Sequence, residues 1–336
     1  MYKKAIFTLG IVTLLTIACN KSNRFEASAD SQQAKINFVR FDSILINTDS
    51  SHMQQSISRF YKAHPGFTAY FAEYIMNVNP TDTTEIAELA FSFNKNTAFR
   101  TVNADVEKTF KNIDTLKSTI AKAYQIIQTH LPDINTPDVY FFVSGFNQSI
   151  IVEKDFVGVG LDLYLGSDYP AYNDMTYKYM LQNMKPSSIA PDLFASILSA
   201  NYPFDGKQER LLEKMIYNGK LMYVLSTLLP DVAPNDIIGY SKFQWEWSRK
   251  YENKIWQSIV GQNHIFSTEL MTMNKYINDA PFTSTISQES PGRLGIWVGW
   301  QIVNEYMKKN SDISLKELIQ STDYQNILTQ SEYNPK

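Results

Sequence analysis

The chain has 336 residues, 44% of them hydrophobic and 19% charged, a balance that suits a folded protein with a substantial buried core. Its single cysteine excludes an intramolecular disulfide and a thiolate metal site. A formal charge of -3 supplies no basic field for nucleic acid, so none is expected as a partner.

The N-terminus, MYKKAIFTLGIVTLLTIACNKSN, places Lys3 and Lys4 before an apolar stretch from Ala5 to Ala18, and then the only cysteine. That stretch falls short of the roughly 20 residues of a membrane span and has the form of a secretory signal core. Ala18 directly before Cys19 resembles a bacterial lipobox, although Thr16 stands where leucine is more usual and Leu15 is displaced by one position. An ordinary signal peptide with an incidental cysteine is the alternative. The position of the one cysteine argues against it. Residues 1–18 are therefore read as a lipoprotein signal and Cys19 as a lipid anchor, each buried methylene adding about 0.8 kcal/mol to membrane binding. Residues 19–35 are polar and read as a flexible tether.

Globular composition begins at Ile36 and continues to residue 336 without a convincing linker, which points to a single domain. QQSISRFYKAHPGFTAYFAEYIM reads as helix interrupted at Pro65-Gly66, and TTEIAELAFSF follows as another. ADVEKTFKNIDTLKSTIAKAYQIIQTHLP reads as one long amphipathic helix ending before Pro132. DVYFFVSGFNQSIIVEKDFVGVGLDLYLGSDYP is β-branched and aromatic, with turn residues at Gly145-Phe146-Asn147 and Lys154-Asp155. It reads as two or three consecutive strands. Helices are expected around 188–201, 206–229, 241–261, 267–277, 291–310 and 314–329. Helices, a small sheet, then helices predict a mostly helical α+β domain.

Chemistry is sparse. His52, His64, His130 and His264 offer no pair at helical zinc spacing, and a P-loop, a dinucleotide fingerprint and a Gly-x-Ser-x-Gly turn are all missing. No metal or cofactor is expected. Asp162 lies between apolar neighbours in GVGLDLYLG, read here as strand, and faces either solvent or a cleft. Glu209 and Glu213 stand at i and i+4, but Arg210 and Lys214 make a solvated helix face the simpler reading. DYPAYNDMTYKYM offers aromatics that could stack on sugars, although aromatic cores are commoner. In SPGRLGIWVGWQIVNEY, Ser290 suits an N-cap and Pro291 the first helical position. Gly292, Gly295 and Gly299 then share one face. Arg293, Glu305, Lys308 and Lys309 argue against membrane insertion, and three costly glycines make sense where a neighbouring backbone lies against them. Trp297 falls on the polar side of this helix.

GVGLDLYLGSDYPAY, YNGKLMYVLSTLLPD and PGRLGIWVGWQIVNEYM, in this order behind a lipoprotein signal, resemble the gliding motility lipoprotein GldB family of the Bacteroidetes. The resemblance implies a lipoprotein in the cell envelope, anchored through Cys19 to the inner or outer membrane. It implies a place in gliding and type IX secretion, partners among other envelope motility and secretion proteins, and no established enzymatic activity. Asn20 and Lys21 replace the acidic run that marks surface export in that phylum, which implies a periplasm-facing position.

A more distant likeness is to predicted zinc peptidases of zincin-like fold. In that comparison Gly158–Gly166 is the edge strand, Ile189–Tyr202 replaces the metal-binding helix, and Asn218 stands near the third, glutamate ligand. The first shell is missing, so the scaffold would be a degenerate gluzincin without metal, one that keeps a groove for extended peptide. Asp162, Asn218, Arg293 and Trp297 are the candidate cleft or contact residues. A glycan- or nutrient-binding envelope lipoprotein is the alternative, and a hydrolase using Glu209 and Glu213 a second.

Overall fold

A computed structural model describes residues 24–26, 35–48 and 50–336. The signal peptide, Cys19 and most of the expected tether lie outside the described residues. The chain enters through strand β1 (Phe38–Arg40) and helices α1 (Phe41–Asn47), α2 (Met53–Ala63), α3 (Pro65–Tyr70), α4 (Thr83–Lys95), α5 (Thr97–Thr109) and α6 (Asp114–His130). Three strands follow, β2 (Asp138–Phe142), β3 (Ile150–Val152) and β4 (Phe156–Gly160). Then come α7 (Lys178–Leu181), α8 (Ile189–Asn201), α9 (Leu211–Leu228), α10 (Pro234–Ile238), α11 (Lys242–Lys250) and α12 (Glu252–Gly261). The last elements are α13 (Leu270–Ile277), α14 (Leu294–Lys309), α15 (Leu315–Gln320) and α16 (Tyr324–Ser331). This is an α+β fold, mostly helical around one small sheet.

The strands run in the order β1-β2-β4-β3, the first three parallel and β3 antiparallel. Alternation along β2 divides the interior. Val139 and Phe141 enter a large core built on α6, α8, α9 and α14, while Tyr140 and Phe142 enter a phenylalanine-rich core under α2, α3 and α4. Phe67 stacks on Tyr140 at 4.3 Å in that second core.

The helices expected at 241–261 and 314–329 each divide in two, and three further expectations change. β4 is interior, so the edge is β3 rather than Gly158–Gly166, and the chain after Gly160 forms a 3-10 turn that carries Asp162. The long helix expected at 104–131 breaks at Asn112, whose side chain accepts from the Asp114 N–H and starts a fresh helix. The glycine-bearing helix begins at Leu294, not Pro291, because the Ser290 hydroxyl is engaged by Thr283 and Ser287 instead of capping.

Its packing follows the glycine stripe. A side chain at Gly299 would overlap the Met215 carbonyl, and one at Gly219 would overlap the backbone of Gly299, so α9 and α14 cross backbone against backbone. Beside this crossing, buried Lys220 donates to Ile319 O (3.0 Å) and Ser321 O (2.6 Å), closing the C-terminal end of α15. Among the described residues no helix is long and apolar enough to cross a membrane.

Candidate functional site

A cavity of about 430 Å³ opens between the turns after β2 and β4, the start of α8 and the start of α14. Its most distinctive pair is Tyr164 and Asp192. Tyr164 is buried at the end of the turn after β4, and its hydroxyl donates to Asp192 Oδ2 at 2.9 Å. Asp192 sits in the first turn of α8, where the helix dipole favours a carboxylate. Burial nevertheless pushes its pKa up to about 6. The Tyr164 hydrogen bond and the Arg293 charge pull it down, and Asp279 adds to the rise. Tyr164 is pushed up in turn, by burial first and then by the Asp192 charge.

Arg293 is a second charged group in the lining. It is the N-cap residue of α14 in the left-handed region (φ 58°), a conformation that is uncommon outside glycine and asparagine. Its Nη1 donates to Ile238 O at 3.0 Å, and its Nε lies 3.7 Å from Asp279 Oδ1. The backbone leading to it is fixed on both sides. Tyr240 donates to Gly292 O at 2.6 Å, and the Thr283 hydroxyl donates to Pro291 O at 2.9 Å. A side chain at Gly292 would overlap the Ala280 carbonyl.

The outer rim comes from the aromatic run after β4. Tyr177 and Tyr179 stack at 5.6 Å, and Met175, Tyr177 and Met180 are exposed although large and apolar. Gln182 donates to Gly239 O and Lys185 pairs with Asp236 at 2.8 Å, which secures the end of this rim to α10. Methionine thioethers and tyrosines on a firm base make an adaptable apolar surface.

Of the expected cleft residues, only Arg293 lines the cavity. Asp162 is fully buried behind it. It accepts from Ser144 N (2.9 Å), Phe146 N (2.5 Å) and the Ser144 hydroxyl, so it holds the 144–148 turn whose Phe146 forms part of the wall. Trp297 is 1% exposed: α14 is packed by α9, α12, α13 and α16, which cover its polar side at Trp297, whereas Gln301 and Asn304 further along are half-buried and Lys308 is exposed. Asn218 donates to Lys214 O in its own helix and lies away from the cavity. The carboxylate pair also fails, because Glu209 precedes α9 and is exposed whereas Glu213 is buried and accepts from Gln208 N.

Sequence reading missed Asp192, Tyr164 and Tyr240. The one available signal was a lone carboxylate in the otherwise apolar run IAPDLF. Among the described residues no histidine or cysteine lines the cavity, and no group of three or more His, Cys, Asp or Glu is placed to hold a metal. The arrangement offers a titrating carboxylate, a guanidinium and an apolar aromatic rim, which is equipment for binding.

No curated protein and no solved structure matches the chain. The family profile described as gliding motility protein GldB matches residues 22–335. With nearly all of the sequence matched, the chain belongs to the gliding motility protein GldB family.

Proposed function

We propose that this protein is a periplasm-facing lipoprotein, anchored through Cys19, that serves gliding motility and type IX secretion without catalysis. It does so by holding a segment of another envelope protein in the cavity at the start of α14. Membership of a motility lipoprotein family supports the setting. The observation that carries the binding role is the cavity itself, with Asp192 and Arg293 both in its lining beside an exposed Met/Tyr rim. A carboxylate and a guanidinium in a slot of mixed polar and apolar lining suit the alternating polar and apolar groups of an extended polypeptide. The antiparallel edge strand β3 lies beside α8, an arrangement that supports the comparison with a peptidase scaffold lacking its metal.

The test is a clean gene deletion scored for colony spreading and for secretion of type IX cargo. Both are expected to be lost, restored by the wild-type gene, and not restored by Cys19→Ala or by an Asp192→Asn, Arg293→Ala double variant that accumulates normally. Full rescue by the cavity variant would remove the binding role. Normal spreading and secretion in the deletion would remove the motility role.

One observation favours a second reading. The stacked Tyr177–Tyr179 pair at the rim is the kind of platform that holds a sugar ring, as in a glycan-binding lipoprotein. That reading predicts calorimetric binding of oligosaccharides that Tyr177→Ala abolishes.

A further inference from the structure

Arg24, Phe25 and Glu26 lie inside the segment expected to be a loose tether, yet they are packed onto the domain. Phe25 is the single large apolar side chain between Cys19 and Ile36, and it is 5% exposed within the large core. Its ring meets that of His130, at the end of α6, edge-on at 5.5 Å. His130 Nε2 lies 3.3 Å from Glu26 O. The Arg24 guanidinium covers the Phe25 ring at 4.5 Å and donates to Ile313 O, to Met307 O (3.4 Å) and to Asn310 O (3.5 Å). These are carbonyls at the C-terminal end of α14 and in the turn beyond it. Carbonyls there carry partial negative charge and have no partner within the helix, so a cation is favoured.

We propose that Arg24 and Phe25 form a clip that turns the lipid tether into a short stalk. The C-terminal end of α14 is thereby set toward the bilayer and the cavity end away from it. This rests on the reading of Cys19 as the anchor. Five residue steps separate Cys19 from Arg24, and a fully extended chain spans at most about 18 Å over them. Without the clip the sixteen steps to Lys35 would allow roughly 55 Å. α14 has 16 residues and is therefore about 24 Å long, with the clip at one end and Arg293 at the other. The surface facing the lipid is then the turn after α14 together with the end of α6. The cavity rim looks into the envelope space, where a partner polypeptide can reach it.

The experiment uses the acylated protein in phosphatidylethanolamine–phosphatidylglycerol vesicles carrying a headgroup nitroxide. Cys19 is the only cysteine, so a thiol introduced by Asp312→Cys or by Tyr177→Cys takes a fluorophore without ambiguity. The label at 312 is expected to be quenched severalfold more than the label at 177. Ten Gly/Ser residues inserted between Asn23 and Arg24 should remove that contrast, whereas the same insertion between Ala27 and Lys35 should leave it. Equal quenching at the two positions, or equal effects of the two insertions, would overturn the orientation. Trypsin tests the clip apart from the anchor. Cleavage after Arg24 should be slower on the order of tenfold in wild type than in Phe25→Ser, a factor that corresponds to about 1.4 kcal/mol of docking free energy. Equal cleavage would overturn the clip. Failure of the wild type to float with vesicles would instead overturn the anchor.

Discussion

Asp162 and Asp192 are both withdrawn from water in one small region, and they differ in what surrounds them. Asp162 has donors on both oxygens, from the backbone of Ser144 and Phe146 and from the Ser144 hydroxyl, with protein on every side. Among the described residues Asp192 has one donor, Tyr164, and it lines a cavity together with Arg293. A carboxylate fully served by its own fold is a structural element, whereas one left half-served at a cavity wall remains open to a ligand. Burial raises both pKa values, so burial alone does not separate them; the partners do.

The largest test of this contrast is Asp162→Ala. It strands the Ser144 and Phe146 N–H groups inside the protein, at roughly 1–3 kcal/mol for each unsatisfied buried donor, so the variant is expected to lose about 3 kcal/mol or more in urea unfolding. The 144–148 turn should loosen with it and take Phe146 out of the cavity wall, so binding falls together with stability. Lys220→Ala comes next. It removes the donor from Ile319 O and Ser321 O and leaves a cavity beside the α9–α14 crossing, for a loss of roughly 2–3 kcal/mol that leaves the binding cavity unchanged.

The same contrast explains what could be read from the sequence. The helices of the C-terminal half were legible in outline because their punctuation is local, although the stretches expected as one helix at 241–261 and at 314–329 each divide in two. Ser241 with Gln244 and Ser314 with Glu317 form capping boxes at the starts of α11 and α15. The close approach behind Gly299 was likewise legible from a stripe of small residues. Whatever depends on distant partners was not. β1 has three residues and exists by pairing with β2 about a hundred positions later. Ser290 and Pro291 carry a sound helix-start signature, but Thr283 engages the hydroxyl and the helix begins later. Trp297 looked exposed because a helical wheel shows one helix and not the neighbours on its second side. The Tyr164–Asp192 bond links a turn to a helix 28 positions away, and no spacing rule connects them.

Asp192→Asn separates stability from function. The native pKa, about 6, lies above the ordinary value of 3.8, so between those two pH values the folded protein binds more protons than the unfolded chain. Stability from this group is therefore fully present at low pH and declines as pH rises through about 6. Asparagine keeps the shape and cannot ionise. Relative to wild type, Asp192→Asn should gain on the order of 1–3 kcal/mol between pH 4 and pH 7, two pKa units being worth about 2.7 kcal/mol before solvent in the open cavity reduces it. Paired chemical-denaturation curves at the two pH values measure this. A parallel pair of curves would show that Asp192 titrates as it does in the unfolded chain, as a solvated surface carboxylate, and erase the contrast.

Arg293→Gly should have the smallest effect on folding. Glycine relieves the left-handed conformation, a gain of up to about 1 kcal/mol, and the lost hydrogen bond to Ile238 O offsets it by a similar amount. The unfolding midpoint should therefore stay close to wild type while spreading and cargo secretion fall. A left-handed arginine retained where glycine folds equally well has its reason in the guanidinium and not in the turn. Should Arg293→Gly instead unfold the protein, the residue belongs with Asp162 as part of the frame, and the binding wall reduces to Asp192 and the tyrosines.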